Sequence, residues 1–320
     1  MEYAQGHLDT IMNDSFVWTD IRNPTRNNMK ILEQNYHFHE LDIEDCLSKI
    51  QLPKVDKYED YVFIILHFPA LQKDKSIFKF SQLSIFIGPN YLVTVHQGDL
   101  KPLLEMFELC KQSSTQRQAL MGKSPGYLLH SLIDSLVDDL LHILMKIMGN
   151  LDDIEDVVFD DTKSDAKEIS FLRREITALR RIVIPLRRTV LKMIKDIQKF
   201  SEDDLSPYFA NVEDHIDKVL ETLDEAKETI EIYKDTDYML STERSNKILA
   251  VLTILFTLSL PATVLSTIYG MNINLPGSLA QPWIFLGPYT TLIILVVASV
   301  ISTLVMLWYF SRLGWVRMYD

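Results

Sequence analysis

The chain has 320 residues, with 32 Lys and Arg against 44 Asp and Glu, a net charge of −12 and a mean hydropathy of +0.04. A charged fraction of 24% excludes a mostly lipid-embedded protein, and 47% apolar residues with only 10 Gly and 12 Pro exclude a disordered or collagen-like one. The average hides two unlike parts: between Lys247 and Arg312 lie 64 residues without a single Asp, Glu, Lys or Arg, so every charge sits in the other 256.

Residues 1–125 read as a mixed α/β region. Asp42–Lys49 is expected to be a short helix ending before Pro53. Tyr61–Phe68, rich in β-branched and aromatic residues, is expected to be a strand ending at Pro69. Phe78–Ile87 and Tyr91–His96 flank Gly88-Pro89-Asn90, a hairpin signal. From Tyr127 the period changes, with Leu128, Leu132, Leu136 (or Ile133), Leu140 and Leu144 recurring at helical spacing.

A second helix is expected over about Asp165–Phe200. It carries the doublets Arg173-Arg174, Arg180-Arg181 and Arg187-Arg188, seven residues apart and therefore on one stripe. The stripe reads either as a polyanion site or as interhelical ion pairs with acids such as Asp138, Asp139, Asp152, Asp153, Glu155 and Asp156. A pI near 5.1 favours the ion pairs and argues against nucleic acid as a partner. A third helix is expected to start near Ser201–Pro207 and to meet no breaker before Pro261. Continued to Tyr269 it would exceed 60 residues, about 90 Å at 1.5 Å per residue, forming a stalk between the charged body and the uncharged block.

That block holds two apolar runs, Ile248–Tyr269 and Tyr289–Phe310, each of 22 residues. As helices they would reach about 33 Å, enough for a bilayer core of about 30 Å. Between them Pro276, Gly277, Pro282 and Pro288 break the chain, and Trp283 and Tyr289 suit a membrane interface. The runs are therefore expected to form a transmembrane hairpin. Arg244 and Lys247 flank the first run, Arg312 and Arg317 the second, which places both ends in the cytoplasm and the loop outside. The N-terminus MEYAQGHLDT has no apolar signal-peptide core, so residues before the hairpin are expected to be cytosolic. Cys46 and Cys110 are then unpatterned thiols in a reducing compartment, free and structural.

No P-loop, GxGxxG, HExxH, CxxC or GxSxG stands in the chain, and nothing supports catalysis. His37, His39 and Glu40 have only a generic metal-ligand spacing. The first apolar run carries a more informative stripe: Leu252, Phe256, Ser259, Thr263, Ser266 and Gly270 recur at three and four residues. It is apolar on the cytoplasmic side and small or polar toward the loop. Such a face suits a wet vestibule above a hydrophobic constriction; equally, the hydroxyls could pack between helices or bond the backbone one turn back. Thr253, Thr257 and Thr267 lie on other faces. Two spans from one chain cannot enclose a pore, so a channel would require several copies.

The run ends in Tyr269-Gly270-Met271-Asn272. Here the sequence resembles the CorA family of magnesium transporters, whose signature is Gly-Met-Asn after the first span of a C-terminal hairpin. LTILFTLSLPATVLSTIYGMN carries the wider pattern, and ELDIEDCLSKIQLPKVDKYEDYVFIIL, NYLVTVH, NLDDIEDVVF, the LRR…LRR…PLRR helix and PYFANVEDH extend the likeness over essentially the whole chain.

The resemblance implies an α+β cytosolic domain, then long helices, then the hairpin, assembled as a homopentameric funnel in the plasma membrane with the first span lining the pore and the second facing lipid. The corresponding divisions are 1–125, 126–247, 248–310 with an outer loop at 271–288, and a basic tail at 311–320. It implies Mg²⁺ as transported and regulatory ion, with Co²⁺ or Ni²⁺ as further cargo and no organic cofactor. Gly270, Met271 and Asn272 would form the selectivity filter, with Thr263, Leu252, Asn246 and Asp235 lining or gating the path below. Leu252 and Asn246 lie about 120° apart on a straight helix at 100° per residue, so a tilted or bent helix is implied. Family members are thought to sense cytosolic Mg²⁺ at acidic sites between subunits. At the position where some members carry an acid this chain has Asn211, which leaves Asp214 and Asp235 as the regulatory metal candidates. The outer loop INLPGSLAQP also lacks the family's frequent acid and is similar to that of the zinc-transporting branch, whereas Met271 favours magnesium. The competing readings are a Zn²⁺ transporter on the same fold and a two-span membrane sensor with no ion flux.

Overall fold

The computed structural model describes residues 6–48, 51–72, 75–158, 166–278 and 283–313. The expected positions Asp165, Pro282 and Arg317, and the tail from 314, lie outside them. The chain divides into two compact units, 1–237 and 238–320.

The first unit is built on a six-stranded sheet. In chain order its strands are β1 His7–Met12, β2 Val17–Arg22, β3 Lys54–Lys57, β4 Val62–Gln72, β5 Lys75–Gly88 and β6 Tyr91–His96. They lie in the order β1-β2-β6-β5-β4-β3, with β2 and β6 parallel and all other neighbours antiparallel. Helices cover both faces. Side chains at alternate positions therefore enter two different cores: Ile64, Leu66, Ile85, Ile87 and Leu92 join the core of the long helices. Phe63, Ile65, Phe86, Val93 and Val95 join Met29 and Leu32 of helix α1 (Arg26–Tyr36), Ile43 of helix α2 (Glu40–Leu47) and Phe38 between them. This is why the Tyr61–Phe68 run is apolar without alternation. The strand passes through Pro69 and does not end there, because β3 pairs β4 only as far as Ile65. Beyond that residue β4 is an edge, where a missing N–H costs no ladder bond. The Cys46 and Cys110 thiols are free and buried, as expected; burial pushes both upward, Cys110 to about 11, which makes them inert.

After α3 (Lys101–Gln112) and α4 (Ser114–Met121) come α5 (Pro125–Val158), α6 (Ala166–Ile197, followed by a 3₁₀ turn to Phe200) and α7 (Ser206–Tyr269). Leu128, Leu132, Leu136, Leu140 and Leu144 of α5 are all buried. On α6 the buried apolar residues Ile169, Leu172, Ile176, Leu179, Val183, Leu186, Val190, Met193 and Ile197 alternate steps of three and four. Phe209, Val212, Ile216, Val219, Leu223, Ala226, Ile230 and Tyr233 repeat the pattern on α7. A strict 3.5-residue period is the signature of a knobs-into-holes seam.

Charges flank that seam. Arg173 pairs with Glu231, Arg180 with Asp224 and Arg187 with Asp217, so each step of seven up α6 is matched by a step of seven down α7. The two helices are antiparallel and in register. The arginine stripe is thus a ladder of ion pairs, but its partners are acids of α7 rather than those of α5 named from sequence. The stripe's spacing defines a face of α6; only packing decides which neighbour meets it. Arg174, Arg181 and Arg188 point outward and are exposed.

The buried polar network of the sheet is centred on Asp20. Its Oδ1 accepts from Thr94 Oγ1 (2.6 Å) and His96 Nε2 (3.1 Å), and its Oδ2 accepts from Arg22 Nε (2.9 Å). His96 Nδ1 accepts from the Gly98 N–H at 3.0 Å, which fixes the imidazole proton on Nε2. Arg22 continues to Glu108 of α3 at 3.2 Å. Burial pushes the Asp20 carboxyl up, but the His96, Thr94 and Arg22 contacts outweigh it and hold it below the ordinary range. A carboxylate depressed in the fold stabilises above its unfolded value, about pH 4, and loses that contribution as pH falls through the folded value. Asp20→Ala is expected to cost about 3 kcal/mol, the scale for stranding partners of a buried charge. In denaturant unfolding, the stability gap between wild type and Asp20→Asn should be full at pH 6 and should narrow below pH 4.

Candidate functional site

The second unit contains the C-terminal part of α7 and helix α8 (Thr290–Arg312). Their most apolar stretches are almost wholly unburied within the chain. Exposed apolar side chains surround both helices, among them Leu249, Leu252, Phe256 and Val264 on α7 and Leu292, Val296 and Trp308 on α8. Surfaces of that extent need lipid or another protein surface against them. Both helices are long and apolar enough to cross a membrane.

Within an apolar medium every backbone and hydroxyl donor needs an internal partner. The hydroxyls of α7 meet that demand locally. Thr253 donates to the Leu249 carbonyl, Thr257 to Thr253, Ser259 to Phe256, Thr263 to Ser259 and Thr267 to Thr263, at 2.7–2.9 Å. These bonds occur on several faces, so the backbone-bonding alternative accounts for the hydroxyls as donors. Their lone pairs stay available as acceptors. Thr303 of α8 reaches the Leu258 carbonyl at 3.3 Å and ties the two helices together.

Gly270 ends α7. Its N–H still donates to the Ser266 carbonyl at 2.9 Å, and Met271 N–H reaches Ile268 at 3.2 Å in a tighter turn. A Cβ on Gly270 would stand 3.0 Å from the Ser266 oxygen, so a side chain there crowds the last helical turn. Asn272 follows and is exposed, with no hydrogen bond of its own among the described residues. The loop is clamped back onto the helices: Tyr269 Oη donates to the Pro276 carbonyl (3.2 Å), and Thr291 Oγ1 to the Gly277 carbonyl (2.7 Å). Thr290, the single fully buried residue of α8, bonds Gly287 and the Leu286 N–H. Gly277 is required twice: its φ is +76°, and a Cβ would lie 2.9 Å from the Trp283 ring. The two threonines were not singled out from sequence; a Thr pair opening an apolar run after Gly-Pro is the signal that marks them.

Of the residues expected in the site, Asn246, Leu252, Thr263 and Gly270–Asn272 belong to the second unit, and Asp214 and Asp235 to the first. Leu252 and Thr263 share a face of α7; Asn246 lies about 120° from Leu252. All are exposed within the single chain. Asp235 pairs with Lys234 at 3.3 Å, and its side chain is 73% exposed. Asp214 and Asp235 are six helical turns apart, about 30 Å, so one chain cannot bring them to one ion. His37 and His39 serve as helix caps: His37 closes α1 with φ +56°, and His39 Nδ1 accepts the Leu41 N–H at the start of α2.

A sheet-and-long-helix unit followed by two membrane-length helices, with Gly-Met-Asn at the end of the first, is the arrangement that the sequence resemblance led one to expect; the family it points to is one of transporters and channels, not enzymes. The CorA-like Mg²⁺ transporter protein family matches residues 13–312, and the chain belongs to it. YfjQ of Bacillus subtilis (strain 168) is 28% identical over 306 residues, covering 95% of this chain and 91% of its own length. The cobalt/magnesium transport protein CorA of Thermotoga maritima is 29% identical over 284 residues, covering 88% and 77%. The complete structure of the CorA magnesium transporter from Methanocaldococcus jannaschii superposes with a TM-score of 0.79 at 20% identity, covering 96% of this chain and 94% of that one. The fold expected from sequence, an α/β unit with long helices and two membrane-length helices, is the fold observed.

Gly277→Ala is expected to destabilise the hairpin by about 1–2 kcal/mol, the cost of a left-handed non-glycine residue. The check is the midpoint of SDS-induced unfolding in mixed micelles, which should fall relative to wild type.

Proposed function

We propose that this divalent metal ion transporter conducts Mg²⁺ into the cytoplasm as a homopentamer, with the C-terminal half of α7 lining the path and both termini cytoplasmic. The observation that carries the reading is the exposed Asn272 amide on a turn at the end of the apolar half of α7, clamped by Tyr269, Thr290 and Thr291. Mg²⁺ dehydrates reluctantly and keeps several waters. A ring of Asn272 amide oxygens with backbone carbonyls of Gly270, Met271 and Asn272 would accept hydrogen bonds from those waters without stripping them. Carboxylates would hold the ion too tightly to release it. Co²⁺ and Ni²⁺ travel as similar hexahydrates and are the natural additional cargo.

Below the mouth, the Thr263 oxygen keeps acceptor capacity after donating to Ser259. Leu252 would form the dry constriction. Asn246 and Asp235 would face the cytoplasmic approach, and Asp235 and Asp214 would sense cytosolic Mg²⁺ at contacts between copies. Met271 supports Mg²⁺ over Zn²⁺ as the principal ion.

Flux into liposomes tests the reading. Mg²⁺ uptake by the wild type should fall at least tenfold in Asn272→Ala; Zn²⁺ uptake without Mg²⁺ uptake would favour the zinc reading, and no flux of either ion the sensor reading. Leu252→Ser should hydrate the constriction and raise basal Mg²⁺ flux severalfold; unchanged flux in a folded variant rejects Leu252 as the gate. Millimolar Mg²⁺ should slow proteolysis of the first unit in wild type and less so in Asp235→Ala.

A further inference from the structure

Between Ile169 and Lys199 the chain carries nine Lys and Arg and only two acids. Both acids are turned inward: Glu175 is buried, and buried Asp196 pairs with Lys57 at 2.9 Å. The outer surface of α6 is therefore of one sign, in a chain whose net charge is −12. Contacts within the fold account for part of it. Arg173, Arg180 and Arg187 meet acids of α7 in the ladder, and Lys192 donates to the Val55 carbonyl at 3.1 Å. Arg174, Arg181, Arg188 and Lys195 are exposed and make no ion pair or hydrogen bond among the described residues. These four recur at every seventh residue, on the side of α6 opposite its apolar seam. Seven residues rise about 10.5 Å, so the row runs for about 31 Å. Like charges in a line repel, and no acid within the fold offsets this row. Between Arg174 and Arg181 the small residues Thr177 and Ala178 leave a groove of about 470 Å³, with Ser170 at its end.

We infer that the outer row of α6, formed by Arg174, Arg181, Arg188 and Lys195, binds a linear phosphate polyanion of the inorganic polyphosphate type. The polyanion reading of the arginine stripe thus falls to the outer member of each doublet and the ion-pair reading to the inner one. Cations spread along a line suit an extended anion better than a compact one, and guanidinium forks pair phosphate oxygens two at a time. The single aromatic residue of α6 is Phe171, which is half-buried. The face therefore lacks the stacking platform that holds single-stranded nucleic acids. A second copy of the chain is the rival occupant, because Asp214, Glu221, Glu228 and Asp235 form an exposed acidic row of the same period on α7. Exposed Lys218, Lys227 and Lys234 stand among those acids, and Lys234 already pairs with Asp235. A phosphate chain carries no such cations and is the stronger complement. The inference is independent of the transport reading, because the binding is read without flux.

The test is fluorescence anisotropy of end-labelled polyphosphate titrated with the full chain in detergent, without divalent ions, at low and high NaCl. Wild type should bind, and the affinity should fall steeply as salt rises. Arg174→Gln/Arg181→Gln/Arg188→Gln should weaken binding at least tenfold and flatten the salt dependence, and Arg181→Gln alone should weaken it severalfold. Lys30→Gln/Lys218→Gln/Lys227→Gln removes the same charge from other exposed positions and should change the affinity less than twofold. Absence of binding by wild type, or equal losses in the two triple variants, would overturn the site. An oligothymidylate of matched charge that binds as tightly as polyphosphate would overturn it in favour of nucleic acid. Dissociation of copies in the row variant without polyphosphate, read by sedimentation velocity, would overturn it in favour of a second copy.

Discussion

The constraint on which the molecule depends is that α7 must satisfy two different surroundings with one continuous hydrogen-bonded backbone. From Phe209 to Tyr233 its apolar side chains form a single buried seam; from Ile248 onward apolar side chains occupy every face and lie open within the chain. A helix can make that transition because its backbone groups are paired internally in either medium. Side chains then carry the whole difference. In the seam, charged residues flank a narrow apolar stripe and find partners across it. In the apolar half, no ionised group is present and each bonded Ser or Thr hydroxyl turns back on its own helix. Pro261 sits within this half and removes one backbone donor, which a helix in such a medium tolerates when nearby hydroxyls and helices take up the freed carbonyl.

The ion-pair ladder along α6 and α7 is best understood as register rather than as stability. Pairs such as Arg180–Asp224 are substantially exposed, with side chains 30% and 53% accessible, and exposed pairs contribute little each. A slip of α6 by a whole heptad would strand one arginine of the three, and a slip of half a heptad would keep most apolar contacts and misalign all three. The charges penalise that slip, as e and g positions do in coiled coils. The sheet solves the corresponding problem differently. Asp20, Thr94 and His96 lock the single parallel pairing, β2 on β6, through a network that has no equivalent one residue out of register.

How much of this was legible in the sequence follows from the range of each interaction. The 64-residue gap in charge gave both membrane-length helices, because exclusion of charge is a property of the segment alone. The leucines of α5 and the β4 and β6 strands were legible for the same reason: local period reports local burial. The strand through Pro69 was misjudged because proline stops a central strand but not an edge, and edge status depends on how far β3 reaches. The arginine partners were assigned to the wrong helix because a stripe has a direction but no address. Asp20 gave no signal, since its buried partners Thr94 and His96 stand 74 and 76 residues away. In the hairpin, Gly270-Met271-Asn272 stood out as a motif, whereas the loop clamp of Thr290 and Thr291 emerged only once their hydrogen bonds were placed.

At the end of α7 the available groups are neutral oxygens on a turn held by hydroxyl clamps, and the Asn272 amide among them is exposed and makes no hydrogen bond among the described residues. Neutral oxygens bind a hydrated hard cation weakly and through its water, which favours passage over retention.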